Sequence, residues 1–189
     1  MVVRSPKGER RYVRHPNPAM LLRIAQGDAY AMALEYVDDD VDPKLRAEAL
    51  RFERYLAHPT HLHVAAGQYT DDTQMSIAVA EVLIEHREAP LREPTTNDFA
   101  AAFFRCFSRD PRYGYSRALQ TLLGEASSVE ELQRRLVPTS DKNGAAMRSV
   151  PLGVLSDPNR IATLAKTQAV VTHNTPGGID ASVAVALMS

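Results

Sequence analysis

Two adjacent carboxylates between two hydroxyls, Thr70-Asp71-Asp72-Thr73, stand where an apolar helical pattern begins in AAGQYTDDTQMSIAVAEVL. One reading is a helix cap. Thr70 or Asp71 is a good N-cap, and acids in a first turn are favoured by the helix dipole by about 0.3–1 kcal/mol each. Capping accounts for one acid, whereas two acids flanked by two hydroxyls exceed what it requires. The other reading is half of a metal site. Consecutive helix residues point about 100° apart, so both carboxylates reach one ion only if the first lies in the non-helical cap. Otherwise they serve two ions, or one ion and one water. Oxygen donors without sulfur or imidazole select a hard cation, Mg²⁺ first, with Mn²⁺ and Ca²⁺ as alternatives. Mg²⁺ takes about six oxygens and this stretch supplies about three, so water or another part of the chain must supply the others.

A second candidate is DKNGAAMRSVPLG, Asp141 to Gly153. Asn143, Gly144, Ala145 and Ala146 are small enough for a close backbone approach to a ligand, and successive free amides form an anion-binding nest suited to phosphate. Arg148 adds a fork donor. The third is VVTHNTPGGIDAS, with His173 at a helix end before a Pro-Gly-Gly turn. Alone, these two segments read as an interhelical loop and a structural histidine. Other clusters carry less. The acids of DDDVDP, Asp38 to Pro43, lack the alternation, glycine and distal glutamate of a calcium loop and read as a solvated turn. His58, His61 and His63 lack a second ligand cluster and read as a loop rather than a zinc site. Cys106, the only cysteine, lies among aromatic residues and reads as a buried thiol.

Helices must position these groups. Apolar residues recur at helical spacing over Ala19 to Val37, interrupted by Gly27 and Asp28, and a charged helix is expected over Lys44 to Leu56. Further helices are expected from near Thr73, from a cap at Thr96 or Asn97 to about Ser108, and after the turn in RDPRYGYS. Ser127 or Ser128 opens the next, Asp157 and Pro158 another, and the last runs from Gly178. VPTSDKNGAAMRSVPLGVL is read as a loop. Strand signals are almost absent, so the fold class is all-α. With 189 residues, 44% of them hydrophobic, the chain suits one domain with a core that needs no disulfide. Met1 to Pro18, with five basic residues and three prolines, reads as a basic flexible arm ahead of a helical domain over 19–189. With 22 Lys+Arg against 23 Asp+Glu, the charge balance directs the chain to neither nucleic acid nor an anionic membrane. The single cysteine and the lack of a leader or a spanning run lead to the expectation of a soluble cytoplasmic protein.

Taken in order, these segments resemble the ADP-ribosylglycohydrolase family, which includes the dinitrogenase reductase-activating glycohydrolases. The match is carried by Gly27, Asp28 and Glu35, by Thr70 to Thr73, by Asn143 to Arg148, and by Thr172 and His173, from about Leu21 to the C-terminus. It implies an orthogonal helical bundle with two Mg²⁺ ions, or Mn²⁺, that cleaves the bond between C1″ of ADP-ribose and an acceptor such as arginine or serine. Thr70, Asp71 and Asp72 would be metal ligands, with Glu35, Asp71 and Asp72 as the catalytic set and Glu35 on a mobile flap. Asn143, Gly144, Ala145, Ala146 and Met147 would cradle the diphosphate, and His173 would contact the nucleotide. The chain departs from the pattern twice. Ala31 replaces the usual second glycine of the first motif, and the Asp-x-Asp-Thr motif that ends the family's metal site has no counterpart.

The resemblance leaves three readings. The first is a hydrolase whose missing ligands come from another subunit or from water. The second is an ADP-ribose or nucleotide-binding module without catalysis. The third is an assembly protein that uses the apolar end VAVALMS, where a second copy or another chain is expected to cover the last helix.

Overall fold

In the computed structural model, residues 2–4, 10–12, 17–37, 43–88 and 92–189 are described. Nine helices among them carry the fold: α1 Met20–Ala31, α2 Pro43–Ala49, α3 Asp71–Glu88, α4 Thr96–Arg109, α5 Arg117–Glu125, α6 Val129–Arg135, α7 Gly144–Met147, α8 Pro158–Ala169 and α9 Pro176–Met188. A 3-10 turn, Met32–Leu34, continues α1, and another, Val150–Val154, follows α7. The domain is all-α. Ahead of it, a short antiparallel pair joins β1 Val2–Arg4 to β2 Arg10–Tyr12. The rest of residues 1–16 and the acids Asp38, Asp39, Asp40 and Asp42 lie outside the described residues.

The longest helix, α3, is the centre of the fold and packs against α1 and α4. Met75, Ala78, Val79 and Val82 are buried with Phe99, Phe103 and Phe107 of α4. Each such large side chain removed from water contributes roughly 1.5–3 kcal/mol. Ser76 and Gln74 are buried on α3 as well, so this helix is enclosed on more than one face. On the other side, α9 packs on α8 and α7, burying Gly178, Ser182 and Ala186. Leu187 and Met188 remain exposed at its end. None of the described helices is long and apolar enough to cross a membrane.

Local signals set most helix starts. Ser128 accepts from Glu131 N, Asp157 from Asn159 N and Thr175 from Gly178 N, each satisfying a first-turn amide. The cap of α4 is Thr95, not Thr96 or Asn97. Thr95 and Asp98 form a reciprocal capping box, while Asn97 accepts from Gln133 Nε2 at 2.8 Å and ties α4 to α6. The charged helix expected to reach Leu56 stops at Ala49. Phe52 takes a left-handed φ of 53°, and the chain turns back so that Phe52 and Tyr55 lie on Tyr30 of α1, with ring centroids 5.7 and 4.3 Å away. Ring contacts with Tyr30 stand here in place of further helix, although Phe52 and Tyr55 remain exposed. The segment read as a loop over 137–155 holds α7 and the second 3-10 turn, because packing against α9 supports helices too short to stand alone.

Candidate active site

Asp71 is the first residue of α3, and Gln74 N donates to Thr70 O at 3.1 Å, which places Thr70 at the cap. The capping carboxylate comes from elsewhere. Asp28 of α1 accepts from Thr70 N (2.8 Å), Thr70 Oγ1 (2.7 Å), Thr73 N (3.2 Å) and Thr73 Oγ1 (2.6 Å). One side chain thus satisfies the end of α3 and both hydroxyls of the motif. Asp71 and Asp72 are thereby released from capping.

Their surroundings are hostile to negative charge. Asp71 is only 8% exposed, and among the described residues no cationic side chain pairs with it or with Asp72. Burial, with the charges of Asp72 and Glu35 next, pushes the Asp71 carboxyl up to about 8. Burial, followed by Asp28 and Glu35, raises Asp72 to about 6. Glu35 is raised too, by burial first and Asp28 second. Gly114 lies against this pair with a φ of 113°, where a Cβ would fall 2.0 Å from Asp71 Oδ1. Only glycine fits there. A hard cation would relieve the repulsion, and the donors are all oxygens, including Thr70 Oγ1, which keeps lone pairs because it donates to Asp28. The donor chemistry therefore fits Mg²⁺ or a similar ion, although no group of three His, Cys, Asp or Glu is gathered as a metal set among the described residues.

Glu35 follows the first 3-10 turn, and its carbonyl accepts from His58 Nε2 at 2.7 Å. His58 is buried, and its Nδ1 accepts from Thr60 N and His61 N at 3.0 and 2.8 Å. These bonds make His58 a structural anchor for the chain at Glu35, in agreement with a loop rather than a zinc site. Tyr36 follows with a left-handed φ of 55° and its ring largely exposed.

Across from the aspartates, Asn143 O accepts from Ala146 N at 2.8 Å and Met147 N at 3.0 Å. Ala146, one of the four residues of the expected nest, and Met147 after it therefore have their amides consumed within the turn. Arg148 is buried in the cavity wall, and its Nε and Nη2 are engaged by groups of the chain itself. Its Nε donates to Gln168 Oε1, and its Nη2 to Gln168 O (2.9 Å) and Thr172 Oγ1 (2.8 Å). The guanidinium also lies 4.5 Å from the Phe103 ring centre. Thr172 Oγ1 is 2.6 Å from His173 Nδ1. The other ring nitrogen, His173 Nε2, is buried without a hydrogen-bond partner. Burial and the Arg148 charge lower the His173 pKa to about 4. Gly144 abuts this ring, where a Cβ would fall 2.7 Å from His173 Cε1.

One cavity of about 70 Å³ is lined by Glu35, Asp71, Asp72, Asn143, Gly144, Met147 and His173. It holds roughly two water molecules or ions at the liquid volume of about 30 Å³ each, not a nucleotide. Larger clefts of about 630, 780 and 450 Å³ share parts of its wall. Of the remaining expected residues, Thr70 lies buried behind the aspartates and Ala145 behind the loop. Sequence reasoning placed Asp28 in a motif without seeing that it caps α3, and it missed Gly114, Tyr115, Tyr36 and Lys142 in the wall. Gly114 had a signal in the Tyr-Gly-Tyr turn; the others had none.

A family model for ADP-ribosylglycohydrolase matches residues 19–189. An uncharacterized protein of Archaeoglobus fulgidus is 30% identical over 176 residues, which cover 88% of this chain and 52% of that protein. The chain thus spans about half the length of the curated relative it matches. With the motifs, the helical fold and this match over nearly the whole chain in agreement, the protein belongs to the ADP-ribosylglycohydrolase family.

Proposed function

We propose that this chain provides the nucleotide cradle and part of the metal centre of a Mg²⁺-dependent hydrolase that releases ADP-ribose from a modified substrate at C1″. The observation that carries the reading is the convergence of Asp71, Asp72 and Glu35 with Asn143, Gly144 and His173 on one cavity. Thr70, Asp71 and Asp72 would hold the cation. When bound, Mg²⁺ supplies positive charge that orients substrate oxygens and acidifies water. Asp28 keeps the aspartates at the cavity by taking over the capping of α3. Glu35, anchored through its carbonyl by His58, faces the same space and is placed to orient a water or a ribose hydroxyl. The start of the Asn143 loop and His173 Nε2 offer hydrogen-bond donors to phosphate or ribose oxygen, fixing the remote part of the ligand so that C1″ is aligned. The ADP and ribose portions would extend from the small cavity into the adjoining clefts.

The test is release of ADP-ribose from peptides modified on arginine or on serine, at protein concentrations that allow self-association. Mg²⁺-dependent release that Asp71→Ala or Asp72→Ala abolishes supports the proposal. No turnover on either linkage, with ADP-ribose still bound, favours a binding module instead.

A further inference from the structure

Arg148 is a buried cation that forms no ion pair with any described residue, and its hydrogen bonds converge on Gln168 and Thr172. Thr172 has one proton to give. Its oxygen accepts from Arg148 Nη2 at 2.8 Å and lies 2.6 Å from His173 Nδ1. If the hydroxyl donates to Nδ1, its proton and one lone pair are used, and the one polar group of the pair left without a partner is Nε2–H. In the opposite arrangement Nδ1–H would donate to an oxygen already accepting from arginine, and both the hydroxyl proton and the Nε2 lone pair would be without a partner among the described residues. One unpaired buried group against two favours the first arrangement, and the arginine N–H on the threonine oxygen leaves the hydroxyl proton directed at Nδ1. The proton of the neutral ring then resides on Nε2, the buried atom with no partner, beside Gly144 in the cavity wall.

We propose that Arg148 and Thr172 are positioning residues that hold His173 as a neutral Nε2–H donor, so that the ligand atom it meets is an acceptor oxygen of phosphate or ribose. His173 on this account neither gives nor takes a proton during turnover. Arg148 acts on His173 through Thr172. The network also reaches the cradle directly, because Gln168 Nε2 donates to Ala145 O at 2.8 Å and to Ser182 Oγ. A shift of the loop would therefore be felt by α8 and α9.

The proposal refines the ADP-ribose reading and rests on it for the ligand, but the tautomer can be measured without any ligand. Long-range ¹H–¹⁵N correlation spectra of the full chain at neutral pH report which ring nitrogen of His173 carries the proton, with His173→Gln identifying the signal. Expected is the Nε2–H form in the wild type, a mixed population in Thr172→Val, and restoration in Thr172→Ser, with folding checked by the remaining spectrum. Calorimetry with ADP-ribose should show about 10-fold or greater weakening in Thr172→Val and recovery in Thr172→Ser. An Nδ1–H form in the wild type, or a tautomer unchanged in Thr172→Val, would overturn the relay. Loss of ADP-ribose binding in a wild type that shows the expected tautomer would instead remove the functional reading, together with the ligand half of this proposal.

Discussion

At the start of α3, buried Asp71 and half-buried Asp72 face Glu35 without an ion-pair partner among the described residues; in the same cavity wall, Arg148 is a buried cation that feels the charge of Asp71 but forms no ion pair with a described carboxylate. The two groups solve their charge problems differently. Around Arg148, Gln168 and Thr172 accept from Nε and Nη2, and the Phe103 ring lies against the guanidinium. Around Asp71 and Asp72, burial and the neighbouring carboxylates hold both carboxyls above their ordinary range, and protonation or an added cation would relieve them. One group is held largely by the chain's own residues, whereas the other would be completed by what binds.

The contrast is sharpest if the two groups respond oppositely to mutation. Asp72→Asn should lower Mg²⁺-dependent ADP-ribose release by about 10³-fold or more. The same change should raise the melting temperature of the metal-free protein, because it removes one of the repelling charges. A lowered metal-free melting temperature would mean that the carboxylate is already satisfied. Arg148→Met should do the reverse and destabilise by about 2–4 kcal/mol in urea unfolding, since it leaves Gln168 O and Thr172 Oγ1 short of a buried donor. Asp28→Ala should cost about 2–3 kcal/mol by stripping the four hydrogen bonds that hold Thr70 and Thr73. A cost near that of a surface substitution would show that α3 caps itself.

The smallest expected effect is on pH dependence. His173 is held below its ordinary value, at about 4, so the unfolded chain takes up a proton at higher pH than the folded chain does. Stability should therefore fall as pH drops from about 6.5 toward about 4, by about 1–3 kcal/mol from this group. Urea midpoints at pH 7 and 4.5 should differ less in His173→Gln than in the wild type. Equal pH dependence in the two would show that the ring titrates freely.

What the sequence made legible follows from how local each signal is. The caps at Ser128 and Asp157 lie within three residues of the amides they satisfy and could be read directly. Asp28 caps α3 from 42 residues away, and no periodicity announces such a contact. This is why Thr70 and Asp71 looked like competing caps when neither side chain performs that task. The helix over Lys44 to Leu56 failed for a similar reason, because Phe52 and Tyr55 are drawn back onto Tyr30 by packing that propensity does not register. Arg148 looked like a phosphate donor since arginine is rarely enclosed without an acid. Its buried position depends on Gln168, Thr172 and Phe103 arriving together from α8, the turn after it and α4. The ordered motifs were legible as a set because they define the family, and the cavity brings their main members together.

The central claim is that the aspartate wall requires a cation before the cradle wall can hold its ligand in a productive place. Titrating ADP-ribose into the full chain by calorimetry, with and without Mg²⁺, tests it most directly. The account predicts tighter binding with Mg²⁺ in the wild type and little response to Mg²⁺ in Asp72→Asn. An ADP-ribose affinity indifferent to Mg²⁺ in the wild type would contradict it.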